Sequence, residues 1–268
     1  MYTHAIFAKF PEKVKPEEKK IKLDQELLRA QCDGFQETLR QAGIAIMELP
    51  EESNQCCSLF VNDLAVVIGQ TALICRTTKL KEVPDSLRRM LKQLVWRVLE
   101  CPQKTDKGTK VYLEASDVLY TGKEIFVATR KNGTNVEGAM ILARAFPSLP
   151  VVIVPLGNSP PLRFFLSMAL PEKVIAVGNS KEAQNVLKLV EREATFRYKT
   201  ITTAEDTASA CLNVNGRVVV RQDRPEAKYS SLKDEGLELW ALDVSELSKL
   251  GHPFTRFCLL VTFEPKSD

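Results

Sequence analysis

The order of hydrophobic and polar positions repeats along the chain with a period near 50 residues. Each repeat has two short apolar strands joined by a tight turn, then a segment with helical spacing, then a further apolar strand. Turns are predicted at positions 69, 122, 172 and 215, the last in an Asn-Gly pair. One ββαβ unit cannot bury its own apolar face, so five units predict a closed α/β ring, a five-bladed propeller. The alternative is a generic α/β fold in which the spacing is coincidental.

The same pattern predicts where the helices lie and how the ring closes. The predicted helices cover 23–41, 86–100, 136–146, 180–194 and 229–236. The last apolar run, FTRFCLLVTF, is predicted to be a strand that pairs beside the first strand. The basic stretch FPEKVKPEEKKIK is expected to form an exposed loop. No linker-like segment divides the chain, which predicts one domain over 1–268.

Composition limits the cellular compartment and the classes of partner that we expect for this chain. The net charge of +3 over 268 residues is too small to indicate a nucleic-acid or membrane partner. No apolar run approaches the roughly 20 residues that span a bilayer, and the first residues do not resemble a signal peptide. The seven cysteines contain no C-x-x-C pair, which favours free thiols in a reducing compartment and therefore a cytoplasmic location.

The absence of several motifs limits the chemistry further. With only two histidines, His4 and His252, a His-rich metal site is excluded. The chain has no G-x-G-x-x-G, no G-x-x-x-x-G-K-[ST], no H-E-x-x-H and no G-x-S-x-G. We therefore expect neither a metal nor an organic cofactor.

Four long blocks, in order along nearly the whole chain, resemble the dimethylarginine dimethylaminohydrolase family of the pentein superfamily. The blocks are FVNDLAVVIGQTALICR, DVLYTGKEIFVATR with NGTNVEGAMILARAF, SMALPEKVIAVGNSKEAQNVLKLVE, and SELSKLGHPFTRFCLLV. The resemblance implies a pentein fold and hydrolysis of methylated arginine to citrulline. A Cys thiolate would attack the guanidinium carbon, a His would move protons, carboxylates would bind the guanidinium, and two Arg would hold the α-carboxylate.

The two catalytic positions that the resemblance implies are changed in this chain. The family's nucleophilic Cys follows a Thr near the end of the chain, and here Thr255 is followed by Arg256. The family's His precedes an L-K-S-F segment, and here Pro161 stands in that position. Proline has no ionisable group and arginine is not deprotonated in proteins, so neither residue performs the family's chemistry.

The substrate pocket that the resemblance implies is only partly retained. The family's D-x-x-F-V-E-D motif has lost two of its acids, and its L-[DE]-G-G-D motif keeps both acids but not the glycines. The matching positions are Cys57, Asn62 and Asp63 in the first motif, and Glu114 and Asp117 in the second. The two carboxylate-binding Arg align with Lys79 and near Gly133, with Arg130 as a distant replacement for the second.

A relocated catalytic pair is the alternative for the chemistry. Cys258 lies two positions beyond Arg256 in the predicted strand, on the same side but roughly 7 Å further along. His252 precedes that strand and is a candidate base. The competing interpretation is that Cys258 is buried in the core and that His252 is solvated in a loop. For His4 we expect a structural, hydrogen-bonded role in the first strand.

Three functions remain open from the sequence. The first is a catalytically inactive family member that acts as a binding or regulatory protein, with Arg256 paired to Asp63 and Glu114 as a built-in occupant. The second is an active guanidine or methylarginine hydrolase with a relocated site. The third is a non-catalytic sensor of arginine-like ligands. The partner is accordingly an arginine-like small molecule or a protein, and the chain is a monomer or a homodimer.

Overall fold

The computed structural model describes residues 1–16, 20–50, 59–79 and 83–265. Fifteen strands in these ranges form five three-stranded sheets. In chain order they are β1 (His4–Ala8), β2 (Ala45–Leu49), β3 (Ala65–Ile68), β4 (Thr71–Ile74), β5 (Arg97–Glu100), β6 (Val118–Tyr120), β7 (Ile125–Arg130), β8 (Val151–Gly157), β9 (Leu166–Leu170), β10 (Val174–Val177), β11 (Lys199–Thr202), β12 (Cys211–Val214), β13 (Arg217–Arg221), β14 (Glu238–Leu242) and β15 (Leu259–Val261).

Every sheet has the same topology, which confirms the predicted ββαβ repeat. In the sheet β3-β4-β5 the first pair is antiparallel and the second pair is parallel, with a helix crossing between the parallel strands. The other sheets repeat this order as β6-β7-β8, β9-β10-β11 and β12-β13-β14. The fifth sheet, β15-β1-β2, joins the last strand to the first, with Val261 opposite His4. This pairing closes the ring, as predicted.

Six α-helices lie in the described ranges. They are α1 (Gln25–Gln41), α2 (Asp85–Leu94), α3 (Val136–Ala145), α4 (Leu162–Phe165), α5 (Lys181–Glu193) and α6 (Ser245–Leu250). Local sequence explains where the crossover helices begin: the side chains of Asp24 and Ser180 accept hydrogen bonds from backbone amides of the first turns of α1 and α5. The buried residues of these helices pack on the sheets. None of the helices in the described ranges is both long and apolar enough to cross a bilayer.

The predicted turns are confirmed by the backbone. Gly69, Gly122, Glu172 and Asn215 all have positive φ, at 56°, 98°, 66° and 52°. Asn215 and Gly216 together have the two positive φ values that a two-residue type I′ hairpin requires.

Two predictions about local structure were wrong. The helix predicted over 86–100 ends at Leu94, because Arg97–Glu100 pairs in parallel with β4; the apolar β-branched residues there fit a strand as well as a helix. In the predicted last strand, Phe254–Phe257 is a one-turn 3₁₀ helix and only Leu259–Val261 is a strand. The loop predicted at 10–22 is confirmed for its described residues, which form no helix or strand and are mostly exposed or half-buried, although Val14 is buried.

The strands β3, β6, β9, β12 and β15 are the inner strands of the ring. Residues from all five line one cavity on the ring axis. Each inner strand is preceded by a short helical turn, formed by Val61–Leu64, Ala115–Asp117, α4, Asp206–Ser209 and Phe254–Phe257 respectively. Since the inner strands surround one axis, these turns gather at one end of the ring.

The turn at Asn215 gives a test of ring closure. Its side chain accepts from the backbone N–H of Tyr2 and donates to the Tyr2 carbonyl oxygen, both at 2.8 Å, and so holds the residues before β1 against the β12–β13 hairpin. We expect Asn215→Ala to lower the free energy of unfolding by about 2 kcal/mol, because it loses these bonds and adds left-handed strain. Asn215→Gly loses only the bonds and should cost roughly half as much. Urea unfolding measures both values, and equal costs would contradict the assignment of strain.

Candidate functional site

A cavity of about 160 Å³ lies at the end of the ring where the helical turns gather. We call it the pocket. Its described lining consists of Phe60, Asp63, Leu64, Thr77, Lys79, Glu114, Ser116, Arg130, Asn132, Pro161 and Arg256. Six of the site residues that the sequence predicted line the pocket: Asp63, Lys79, Glu114, Arg130, Pro161 and Arg256. Asn62, Asp117, Gly133, Cys258 and His252 are not in its described lining.

The guanidinium of Arg256 is held by Asp63. Its Nε and Nη2 donate to the same carboxylate oxygen, Oδ2, at 2.9 and 2.5 Å. The side chains are only 15% and 12% exposed, so the pair is largely desolvated. The other oxygen, Oδ1, is buried and accepts no hydrogen bond from the described residues. The contact is thus one-sided and lacks the two parallel bonds of a bidentate pair.

Phe60 and Gly251 also lie against the side chain of Arg256. The guanidinium carbon lies 3.8 Å from the centre of the Phe60 ring, a cation–π contact. A Cβ atom added to Gly251 would lie 2.6 Å from that ring and 2.9 Å from Nη1 of Arg256. Only glycine at this position leaves room for the stacked guanidinium. Sequence reasoning identified neither Phe60 nor Gly251 as part of the site.

Glu114, which the sequence paired with Arg256, bonds to a second arginine, Arg130, and this arginine also bonds to Asp117. Arg130 donates to Glu114 at 2.8 Å and to Asp117 at 2.5 Å. The other oxygen of Asp117 accepts from the backbone N–H and the hydroxyl of Thr134. Asp117 is completely buried, and burial raises its pKa although the Arg130 contact opposes the shift. At Gly133 an added Cβ would collide with the Arg130 guanidinium, so this glycine makes room for the cluster.

Glu114 uses both of its oxygens. Oε1 accepts from the backbone N–H and the hydroxyl of Thr78, at 3.3 and 2.7 Å, while Oε2 accepts from Arg130. The sequence hypothesis placed Arg130 as a distant replacement for a carboxylate-binding arginine. In the structure its Nε and Nη2 bond to the protein's own carboxylates, and Lys79 also lines the pocket.

Asn62 is neutral and connects neighbouring segments through hydrogen bonds. Its amide nitrogen donates to the carbonyl oxygens of Thr255 and Cys258, at 3.0 and 2.8 Å. Its oxygen accepts from Arg163 at 2.7 Å, and Arg163 also donates to the Thr255 hydroxyl at 3.1 Å. Arg163 was missed at the sequence level, because nothing in its neighbourhood distinguishes it from a solvated arginine.

The proposed substitutes for the catalytic pair lie elsewhere. Cys258 was expected on the same strand face as Arg256; that expectation was wrong, because the 3₁₀ turn at Phe254–Phe257 breaks the alternation of a strand. Its side chain is fully buried in the core, and burial raises the pKa of the thiol. Neither Cys258 nor His252 is among the described residues that line the pocket. Cys57 lies outside the described residues.

His252 is not solvated, contrary to expectation. Its ring packs edge-on against Phe164, with the ring centres 5.0 Å apart, and both ring nitrogens are buried. Burial, with Arg221 nearby, lowers the pKa of His252 to about 4. His4, in β1, contacts the Thr3 hydroxyl through Nδ1 at 2.9 Å, consistent with a structural role. Within the described ranges no group of three or more His, Cys, Asp or Glu could hold a metal ion.

The five-sheet α/β ring with a pocket of acids and arginines at one end defines the pentein class of proteins. Among solved structures, a dimethylarginine dimethylaminohydrolase adduct with 4-chloro-2-hydroxymethylpyridine has a TM-score of 0.76 at 18% identity, covering 97% of this chain and all of that one. The product-bound N-terminal domain of ArgZ, a cyanobacterial arginine dihydrolase, also has a TM-score of 0.76, at 14% identity and 98% coverage of both chains.

Sequence comparison is more specific. The chain is 31% identical over 241 residues to the human putative hydrolase DDAH2, covering 85% of this chain and 82% of that protein. The bovine putative hydrolase DDAH2 is 30% identical over 239 residues, covering 85% and 81%. No family model matches the chain. On these relatives, the chain belongs to the dimethylarginine dimethylaminohydrolase family, as the sequence blocks indicated.

The buried His252 makes the stability of the protein depend on pH. Its pKa falls from 6.5 to about 4 on folding, so between these values the unfolded chain binds more protons. Its contribution to stability is complete above pH 6.5 and is lost as the pH falls to 4, by about 3 kcal/mol in all. We expect His252→Phe, which keeps an aromatic ring on Phe164, to remove this loss. Urea unfolding from pH 4.5 to 7.5 checks it, and parallel profiles for the two proteins would contradict it.

Proposed function

We propose that this chain is a non-hydrolytic member of its family, in which Arg256 permanently fills the guanidinium position of the pocket and the protein acts by binding. The observation that carries the proposal is the contact of Arg256 with Asp63 and Phe60. A carboxylate below and an aromatic ring against the guanidinium face are what a bound arginine side chain requires. Here the chain supplies that side chain itself.

The chemistry of guanidine hydrolysis supports the same conclusion. The reaction needs a thiolate beside the guanidinium carbon and a group that transfers protons to the leaving amine. The described lining of the pocket contains no Cys and no His. Arg256 and Pro161, at the positions of the family's nucleophile and base, both line it, and neither performs these steps. The raised pKa of the buried Cys258 keeps its thiol protonated at neutral pH.

Substrate binding is opposed by charge as well. A substrate guanidinium needs a carboxylate, but Asp63 is paired with Arg256, and Glu114 and Asp117 are paired with Arg130. An incoming cation must displace one of these arginines, or bind beside it against like-charge repulsion. The acids of the pocket are therefore paired within the chain, which suits a stable binding module better than a turnover site.

A citrulline assay tests the absence of turnover. We expect no citrulline from purified protein incubated with dimethylarginine, with monomethylarginine or with arginine, under conditions in which an active family member gives a clear signal. Cys258→Ala and Cys57→Ala serve as matched variants. Turnover by the wild type that either variant abolishes would overturn the proposal and establish a relocated hydrolase site.

Removing the occupant tests its identity. Arg256→Ala leaves the largely buried Asp63 without its hydrogen-bonded partner, which should lower the free energy of unfolding by about 3 kcal/mol. Methylguanidinium at about 10 mM, where it does not denature, should restore much of this loss by entering the vacated space. Tetramethylammonium and urea, which lack a planar cationic fork, should not.

The matched control is Arg192→Ala, which removes an exposed arginine paired with its neighbour Glu193. It should be nearly neutral and show no response to methylguanidinium. Rescue of both variants alike, or of neither, would contradict the assignment of Arg256 as an occupant.

The remaining space of the pocket supports one second candidate, a sensor of arginine-like ligands. The cavity of about 160 Å³ has room for a small molecule, and the cationic side chains of Lys79 and Arg130 are both in its lining. Calorimetric titration of the wild type with arginine and its methylated forms distinguishes the two functions. A flat titration supports the self-filled binding module, whereas saturable heat that Lys79→Ala abolishes favours the sensor.

A further inference from the structure

Two cysteines are cross-strand neighbours at the ends of β4 and β5. These strands are parallel, with Ile74 opposite Glu100. The backbone N–H of Cys101 donates to the Ile74 carbonyl oxygen at 3.0 Å, which is the next bond of a continuing parallel ladder. The register therefore extends by one residue and places Cys75 directly opposite Cys101. We call these two residues the thiol pair.

Both side chains of the thiol pair lie on the same face of the sheet. Leu73 and Cys75 belong to a buried apolar cluster that also contains residues of α3, and Leu99 and Cys101 pack against that cluster. Neighbouring strands run about 4.8 Å apart. A disulfide joins residues whose Cα atoms are about 4.4–6.8 Å apart. The backbone of the folded protein is therefore compatible with a bond between these two sulfurs.

The two thiols differ in how easily a reagent reaches them. Cys75 is buried, whereas Cys101 is only partly buried. Burial raises the pKa of the Cys101 thiol to about 12, although a hydrogen bond from the Arg76 backbone and the Arg76 charge oppose the shift. A small reagent therefore meets Cys101 first, and its reaction is faster at higher pH because the thiolate is the nucleophile. Cys75 is then reached through Cys101.

The thiol pair adjoins a segment of the pocket. Two and four residues after Cys75 come Thr77 and Lys79, which line the pocket. Between them, Thr78 donates to Glu114 through both its backbone N–H and its hydroxyl. A covalent bond at Cys75 therefore restrains the start of a segment that contacts the pocket and one of its acids.

We propose that Cys75 and Cys101 form a modification site, at which exchange with a small disulfide converts the two thiols into one intrachain disulfide bond and restrains the adjoining pocket segment. The Cys101 thiolate attacks a sulfur of the small disulfide and expels one thiolate. The Cys75 thiolate then attacks the Cys101 sulfur of this mixed disulfide and expels the second thiolate. The protein thiols lose two electrons and two protons, and the small disulfide becomes two thiols. The proposal holds whether or not the pocket hydrolyses a guanidine.

Peptide mapping tests the proposal. Purified protein is incubated with excess oxidised glutathione, quenched with acid, denatured and alkylated. Chymotrypsin separates the two cysteines into peptides 74–80 and 100–112, each with a single Cys. We expect these peptides to be joined by a bond that dithiothreitol cleaves. Between pH 7 and pH 9 the rate should rise about tenfold per pH unit, because the thiolate fraction of Cys101 rises by that factor below its pKa.

Variants identify the role of each thiol. Cys75→Ser removes the second attacking thiol and should leave glutathione attached to Cys101. Cys101→Ser removes the first and should leave the buried Cys75 unmodified. Cys211→Ser removes a buried thiol in β12 and is the matched control, so it should form the bond as the wild type does. The proposal is wrong if the wild type yields the two peptides only with free or glutathione-bound thiols, or joined to other cysteines.

Hydrogen exchange measures the effect on the pocket segment. In the oxidised protein we expect the backbone amides of Thr77 and Thr78 to exchange several-fold more slowly than in the reduced protein, because the bond suppresses local opening at the end of β4. Dithiothreitol should restore the faster rate. Equal exchange in the two forms would contradict the link between the thiol pair and the pocket.

Discussion

The structure depends on one constraint: a three-stranded sheet with a single crossover helix cannot bury both of its faces. Each sheet leaves its inner strand to be covered by its neighbours, so the sheets are stable only as a ring. The antiparallel pairing of β15 with β1 supplies the closure. The centre of the molecule depends on this closure, because the pocket and the cavity on the ring axis are both lined by residues from several of the ββαβ units.

Acidic and basic side chains are paired near the ring axis. Three acids face three arginines around the axis: Asp63, Glu114 and Asp117 with Arg130, Arg163 and Arg256. Arg130 bonds to both Glu114 and Asp117, while Arg256 bonds to Asp63. Asn62, where the family has an acid, bonds to Arg163 without neutralising it. Each of the three acids therefore accepts a hydrogen bond from an arginine of the same chain.

The sequence allowed the ring to be predicted because its signals are local. Gly69, Gly122 and Asn215 occupy positions where the backbone needs positive φ, and such turns are visible without the fold. The length of α2 was not predictable in this way, since the residues around Val98 suit a helix or a strand and only pairing with β4 decides. The family resemblance predicted that Arg256 and Asp63 lie in one site. Hydrophobic periodicity alone could not have predicted this.

Other parts of the site depended on geometry that no pattern encodes. The orientation of Cys258 changed because a single 3₁₀ turn precedes it. The burial of His252 and the contact of Arg163 with Asn62 arise from packing between sheets, and both residues look ordinary in the sequence. Gly251 matters only because a guanidinium and a ring happen to lie beside it.

Ring closure also affects how the chain folds, because it requires contacts between residues far apart in sequence. The contact between Asp63 and Arg256 joins residues 193 positions apart, and β1 meets β15 across almost the whole chain. Contacts of such long sequence separation form late in folding, because the entropy of closing the loop must be overcome before they contribute. The Asp63–Arg256 contact and the β1–β15 pairing therefore both carry the entropy cost of closing a long loop. The contact that fills the pocket also fixes the last part of the chain to the sheet that contains β3.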